Sequence, residues 1–166
     1  MEFVATSTDQ LNSLAEKAPF LRPYWGGALP CNRLPRDPIK SMPRGYIVNT
    51  DRESGPGRHW IALWTYDDVC EKMDSYGLPM EVYESSPLAQ WIEDHWEILQ
   101  TNRKSLQAVN SMTCGHYALK YLIEKSNGRT LEDFLKQFSN INYVANDAKI
   151  ARWMKKYVYH NVINSL

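Results

Sequence analysis

The segment HWIALWTYDDVCEKMDSYG (residues 59–77) predicts two neighbouring β-strands joined by a tight turn. Its first part, residues 59–66, is rich in aromatic and β-branched side chains, and residues 69–77 predict a second strand that ends at Asp74 and a glycine turn. Upstream, GYIVNT (residues 45–50) predicts another strand, which is followed by the turn DRESGPG. We therefore expect an antiparallel meander of three strands at the centre of the fold.

Helix signals lie on both sides of this meander. Each predicted helix starts after a residue that can cap it and continues with an apolar stripe. The expected starts are at Ser7, Ser86, Thr113 or Cys114, Thr130 and Asn146. The stripe after Ser86 reaches Leu99, and the helix that begins near Cys114 is expected to run to Lys125.

Two further segments complete the predicted architecture. Residues 19–44 contain six prolines and predict a long surface loop, and SLQAVN (residues 105–110) predicts a short strand. Since strands cluster in the middle and helices flank them, the predicted class is α+β, with a small, mostly antiparallel sheet. We expect residues 1–166 to form a single domain.

The composition excludes several classes of protein. Of the 166 residues, 43% are hydrophobic and 23% charged, and the formal net charge is zero, so no overall field attracts nucleic acid or anionic lipid. We expect no membrane span and no secretory signal. The cysteines, Cys31, Cys70 and Cys114, are odd in number and lack metal-ligand spacing. We therefore expect no disulfide framework, metal or cofactor, and a reducing intracellular compartment.

Cys114 is the candidate for covalent chemistry. It stands at the predicted start of a helix, where unpaired N–H groups and the helix dipole favour a thiolate and could hold an oxyanion. Gly115 follows, and a residue without a side chain would let a substrate carbonyl approach the backbone. The alternative is a buried core cysteine, which is the commoner role for such a residue.

A nucleophilic cysteine needs a base, and the chain contains four histidines. His116 lies about 200° around the helix from the cysteine and should face away. His95 falls in an apolar stripe, and His160 is expected in a frayed tail. His59 opens a predicted strand after a glycine-rich turn and precedes Trp60, which could shield its ring from water. His59 is therefore the best candidate, although a histidine at a strand end is also often structural.

Asp74 and Gln107 could complete a catalytic site. Antiparallel pairing would bring Asp74, at the end of one strand, beside the start of its neighbour, where it could orient an imidazole. Asp67, Asp68 and Glu71 are rivals, but they lie in or near the connecting turn. Gln107 has an amide that could donate to an oxyanion, or it is simply a polar residue on a half-exposed strand.

The order His59, Asp74, Gln107, Cys114 resembles the adenovirus protease (adenain-like) cysteine endopeptidase family, within the group that also holds SUMO- and ubiquitin-like proteases. The flanking residues are similar as well. IVNTDRESGPGRHW (47–60) resembles the family's segment that ends in its catalytic His-Trp pair, and MDSYG (73–77) resembles its acidic segment. QAVNSMTCGHYAL (107–119) resembles its Gln-x6-Cys-Gly block. The similarity spans residues 19–125, and residues 126–166 would be C-terminal helices.

This resemblance implies a role for each residue. Cys114 would attack the scissile carbonyl, and His59 would hold the thiolate as an ion pair and then protonate the leaving amine. Asp74 would orient His59, and Gln107 would stabilise the oxyanion together with the Cys114 N–H. Trp60 would form a wall of the substrate cleft.

The resemblance also implies partners. Family members cut polypeptides at sites with small residues, so the expected substrates are viral precursor proteins, with the enzyme in the host nucleus or the virion. The adenovirus enzyme is activated by a disulfide-tethered peptide and by DNA. WEILQTNRKSLQ (96–107) contains no cysteine, which argues against an activating peptide linked by a disulfide, and the zero net charge argues against activation by DNA. An activating peptide that binds without a disulfide stays an alternative.

Two alternatives share this fold. A protease of ubiquitin- or SUMO-like modifiers would use the same chemistry and differ only in its docking surface. A non-catalytic binding module would keep the fold without a reactive Cys114.

Overall fold

The computed structural model of the protein describes residues 6–163, with side chains up to Asn161. The helices are α1 (Thr8–Glu16), α2 (Pro87–His95), α3 (Cys114–Ser126), α4 (Leu131–Leu135) and α5 (Tyr143–Val158). The strands are β1 (Trp25–Pro30), β2 (Arg44–Asn49), β3 (Trp60–Tyr66), β4 (Val69–Met73) and β5 (Ile98–Thr101). Within the described residues, the strands form one five-stranded sheet in the order β1-β2-β3-β4-β5.

The sheet confirms the predicted meander but is mixed rather than mostly antiparallel. Strands β2, β3 and β4 pair antiparallel, as expected. Strand β1 pairs parallel with β2, and β5 pairs parallel with β4. The α+β class is confirmed, and the antiparallel part is the centre of the sheet, where β3 and β4 lie side by side.

The two edge strands, β1 and β5, lie in segments for which the sequence predicted a loop and the end of a helix. Strand β1 falls within the predicted loop 19–44, and its Gly26 is required because a Cβ there would overlap the ring of Tyr46. Pro30 is tolerated because it is the last residue of an edge strand.

The prediction of a strand at 105–110 was wrong. Those residues form a loop whose Leu106 and Gln107 N–H groups donate to the Ser75 carbonyl at 2.8 and 3.1 Å. Strand β5 lies earlier in the chain, since α2 ends at His95.

The helix starts are largely confirmed. Ser7 forms a capping box with Gln10, and Ser86 and Thr130 cap α2 and α4. Helix α5 begins at Tyr143 rather than after Asn146, because the Asn142 side chain accepts the Ala145 N–H at 3.0 Å.

Two apolar layers cover the sheet. Alternation along β3 sends Trp60 and Ala62 to one face, where α1, α3, α4 and α5 pack, and Ile61 and Leu63 to the other, where α2 packs. Helix α3 packs directly on β3. This packing brings the N-terminus of α3 towards the start of β3. Within residues 6–163, none of the helices combines the length and the apolar character that a membrane crossing requires.

Candidate active site

His59 and Asp74 meet at one end of the β3–β4 hairpin. His59 immediately precedes β3 and Asp74 immediately follows β4, so the antiparallel register, in which Ala62 pairs with Met73, places them side by side. The Nε2 of His59 lies 2.8 Å from Asp74 Oδ1, and both side chains are buried. The contact between Asp74 and the His59 imidazole, which strand pairing predicted, is therefore present in the structure.

Burial and charge act in opposite directions on this pair. Burial alone lowers the pKa of His59, but the hydrogen bond to Asp74, the charge of Asp74 and the nearby Cys114 raise that pKa to about 9. Burial likewise raises the pKa of Asp74, but the hydrogen bond and charge of His59, with further hydrogen bonds, lower it overall. The charged forms of both groups are thus favoured near neutral pH.

Cys114 lies on the other side of the imidazole. It is the first residue of α3, is 8% exposed, and its Sγ accepts the Trp60 N–H at 3.5 Å. Since Nε2 of His59 faces Asp74, Nδ1 is the nitrogen left for the thiol, and it makes no hydrogen bond to any of the described residues. The structure therefore brings His59, Asp74 and Cys114 together.

Gln107 is held in a fixed orientation by hydrogen bonds to both ends of its amide group. Its Oε1 accepts the Ser75 hydroxyl at 2.5 Å, and its Nε2 donates to the Ser111 carbonyl at 2.9 Å. Gln107 is 2% exposed, so it is not a polar residue on a half-exposed strand. One of its two amide hydrogens is used by Ser111, and the second can serve an oxyanion.

Trp60 and Gly115 contact the segment that leads into α1. The indole Nε1 of Trp60 donates to the Thr6 carbonyl at 3.1 Å. A Cβ at Gly115 would overlap the Thr6 hydroxyl and lie 3.4 Å from the Trp60 ring. Gly115 was expected to keep the approach to the backbone open. The structure corrects this, because Thr6 already fills the space beside it.

A cavity of about 490 Å³ opens beside Trp60. It lies between the N-terminal segment and the turn that joins β2 to β3, and its walls include Thr6, Asn49, Arg52 and Gly57. The predicted cleft wall thus borders a real depression large enough for part of a peptide.

Residues that the sequence did not single out hold Asp74 in place. Tyr83 donates its hydroxyl to Asp74 Oδ2 at 2.7 Å, and the Tyr76 N–H donates to Oδ1 at 2.9 Å. The Asn102 side chain accepts the Asp74 N–H at 2.8 Å and donates to its carbonyl at 2.6 Å. An asparagine after a strand and a tyrosine in a short turn are ordinary residues, so no sequence signal marked them.

The rival residues have other roles. Glu71 accepts a hydrogen bond from the Tyr121 hydroxyl and pairs with Lys125 at 3.1 Å, and Asp67 and Asp68 are exposed. His95 packs against the Trp91 ring.

The other two histidines lie on helical segments. His116 is buried within α3, and His160 lies in the turn after α5. Within residues 6–163, no group of three or more His, Cys, Asp or Glu side chains is arranged to hold a metal ion.

No protein-family model matches this chain, and no curated protein matches it either. The chain is similar to two crystal structures of the ASFV pS273R protease, one of them the selenomethionine form. Identity is 21% with a TM-score of 0.39 for the selenomethionine form, and 19% with 0.41 for the other. Each match covers 66% of this chain and 42% of the other, so the chain spans less than half the length of that protease.

Proposed function

We propose that this protein is a cysteine endopeptidase in which Cys114 is the nucleophile and His59 its general acid and base. The observation that supports this most strongly is the 2.8 Å contact of His59 Nε2 with buried Asp74, which leaves Nδ1 for a cysteine at a helix N-terminus. Nucleophile, base and orienting acid in contact are the arrangement that acyl transfer requires.

The electrostatics support an ion-pair ground state. With the pKa of His59 raised to about 9, the imidazole is protonated near neutral pH and can stabilise a Cys114 thiolate. The thiolate attacks the scissile carbonyl carbon, and the carbonyl oxygen takes up the negative charge. The Cys114 N–H and the Gln107 amide are the donors proposed for that oxyanion.

The remaining steps regenerate the site. His59 donates its proton to the leaving amine as the carbon–nitrogen bond breaks, which leaves a thioester on Cys114. Neutral His59 then takes a proton from a water molecule that attacks the thioester, and the product carboxylate leaves with the thiolate restored. Asp74 keeps the ring oriented through both steps.

The substrate proposed is a polypeptide with small residues at the cleavage site, such as a viral precursor protein, cut in the host nucleus or the virion. This proposal comes from the resemblance of the motifs to adenain-like enzymes. Trp60 and the cavity beside it are the region where we expect part of the peptide to bind.

The test is hydrolysis of a fluorogenic peptide library, with ubiquitin and SUMO C-terminal fluorogenic substrates in parallel. We expect the protein to cleave peptides and Cys114→Ala to abolish cleavage. Cys70→Ala, which removes a buried thiol on the opposite face of the sheet, serves as the control and should remain active. Cleavage of the modifier substrates alone would indicate a deconjugase. Absence of cleavage with unperturbed Cys114 alkylation kinetics would indicate a binding module.

A further inference from the structure

Asp147, the fifth residue of α5, contacts the loop that joins Gln107 to Cys114. Its Oδ2 accepts the Ala108 N–H at 3.2 Å, and its Oδ1 accepts the hydroxyls of Thr113 at 2.9 Å and Tyr117 at 2.8 Å. The Asp147 carboxylate on α5 therefore binds Ala108, which follows Gln107, Thr113, which precedes Cys114, and Tyr117 in α3.

The contacts continue to the side chain of Gln107. Since the Thr113 hydroxyl donates to Asp147, the Ser111 hydroxyl, 3.0 Å from it, is the donor of that pair. Ser111 in turn accepts the Gln107 amide through its carbonyl. Asp147 is thus connected to Gln107 in two ways. One is its bond to Ala108, the next residue in the chain after Gln107, and the other is the series of hydrogen bonds through Thr113 and Ser111.

The same contact leaves the start of α3 without a side-chain cap. Thr113 occupies the capping position, but its side chain makes no hydrogen bond to the helix and is turned to Asp147 instead. An N-cap hydroxyl accepts from the second or third N–H group of a helix, here Gly115 or His116, and the His116 N–H already donates to the Thr113 carbonyl at 3.0 Å. The Thr113 hydroxyl is therefore used to tie the residue before Cys114 to α5, and the Cys114 N–H is not among the groups that it would cap.

Asn146 strengthens the attachment. Its Nδ2 donates to the Leu106 carbonyl at 3.1 Å and to the Ser139 carbonyl at 2.9 Å, and its Oδ1 accepts the Ser139 N–H at 2.8 Å. Two consecutive residues of α5 thereby hold both ends of the loop. Asn146, which the sequence suggested as a helix cap, instead makes these contacts across the fold.

We propose that Asp147 is a positioning residue that fixes Gln107 and the first turn of α3 as an oxyanion hole. This inference rests on the proposed protease function. A preorganised pair of donors costs no rearrangement when charge develops on the substrate oxygen, so loosening the loop weakens transition-state binding more than substrate binding.

The main test is the Asp147→Asn variant. Asparagine keeps the volume but replaces one acceptor oxygen by a donor, so it cannot accept from Ala108 and from Thr113 together. We expect kcat to fall about tenfold or more with KM changed less than about twofold, which is below the loss for removing an oxyanion donor outright. The control is Asp94→Asn, which removes the same charge from an exposed position of α2 and should leave kcat and KM unchanged.

A double-mutant cycle tests whether Asp147 acts through Gln107. In the Gln107→Ala background, Asp147→Asn should cost much less than it does in the wild type, because the donor that it positions is already absent. Equal losses in both backgrounds, or an unchanged kcat in Asp147→Asn, would overturn the inference. Thr113→Ser, which keeps the hydroxyl, should be active, whereas Thr113→Val should lose activity.

Two inhibitor classes separate positioning from unfolding. A peptide aldehyde forms a tetrahedral adduct that needs the oxyanion hole, whereas iodoacetamide alkylates the thiol without it. We expect Asp147→Asn to weaken aldehyde binding about tenfold and to leave the rate of Cys114 alkylation nearly unchanged. A similar loss in aldehyde affinity and in the rate of Cys114 alkylation would indicate that the variant disrupts the whole site, which would contradict the inference.

Amide hydrogen exchange at Ala108 distinguishes failure of this inference from failure of the proposed function. Exchange should be faster in Asp147→Asn than in the wild type, whether or not the protein cleaves peptides. If the wild type cleaves nothing but Ala108 is deprotected in the variant, the protease proposal fails and the loop attachment holds. If exchange is equal, the attachment itself is wrong.

Discussion

The hydroxyl of Tyr83 donates a 2.7 Å hydrogen bond to Asp74 Oδ2, the carboxylate oxygen that does not face His59. The contact spans only nine residues but crosses from the turn before α2 to the end of β4. It lowers the pKa of Asp74 and fixes the rotation of the carboxylate about its Cβ–Cγ bond. The orientation of the imidazole therefore depends on a tyrosine outside the three residues that would perform the reaction.

Replacing Tyr83 by phenylalanine should reduce peptidase activity without abolishing it. The ring still packs, but one hydrogen bond to a charged group is lost, which costs about 1.5–3 kcal/mol in the free energy of unfolding. The pKa of Asp74 should rise, so the acidic limb of the pH–activity profile should move to higher pH. Tyr66→Phe, at an exposed position of β3, is the matched control. An identical pH profile in Tyr83→Phe and the wild type would contradict this role.

The stability of the protein should fall as pH rises from about 6.5 to about 9. The pKa of His59 is raised from 6.5 to about 9 in the folded chain, so its contribution is complete below the unfolded value and is lost as the proton leaves. The lowered pKa of Asp74 acts in the opposite sense, since that contribution is lost as pH falls through the folded value. Chemical denaturation at a series of pH values measures both effects.

The Asp74→Asn variant provides the control for this pH dependence. Without the carboxylate, the pKa of His59 should fall, and the loss of stability between pH 6.5 and 9 should become smaller. The basic limb of the activity profile should move to lower pH in the same variant. A wild type equally stable across this range would rule out a protonated His59 stabilised by Asp74.

Gly115→Ala should destabilise the fold by about 1–3 kcal/mol, because the new methyl group overlaps the Thr6 hydroxyl. The variant should also disturb the bond from the Trp60 indole to the Thr6 carbonyl. Thermal unfolding measures the loss, and Thr6→Ala in the same chain should recover part of it by removing the hydroxyl. If the double variant is no more stable than Gly115→Ala, the overlap is not the cause.

Much of the site could be predicted because its main geometry is local. Antiparallel pairing of two adjacent strands forces the start of β3 and the end of β4 together, so His59 and Asp74 could be paired from spacing alone. The start of α3 at Cys114 followed from the helix pattern that succeeds it.

The rest depends on contacts that leave no local signal. Strand β1 carries Gly26, Gly27 and Pro30, which are typical of a loop, and only pairing with β2 makes the segment a strand. Asp147 reads as an ordinary helix residue because its partners lie 30 to 39 residues away. Gly115 is needed because of Thr6, which is the first of the described residues and lies more than a hundred positions earlier in the sequence.

The β3–β4 hairpin carries His59 and Asp74, whereas Cys114 reaches them only when α3 packs against β3. A chain in which this helix has not docked has the imidazole and carboxylate together but the thiol elsewhere. Under the proposed function, such a chain cannot cleave its neighbours during synthesis. Docking of α3 on β3 is then the folding step that completes the site and sets when the thiol can react.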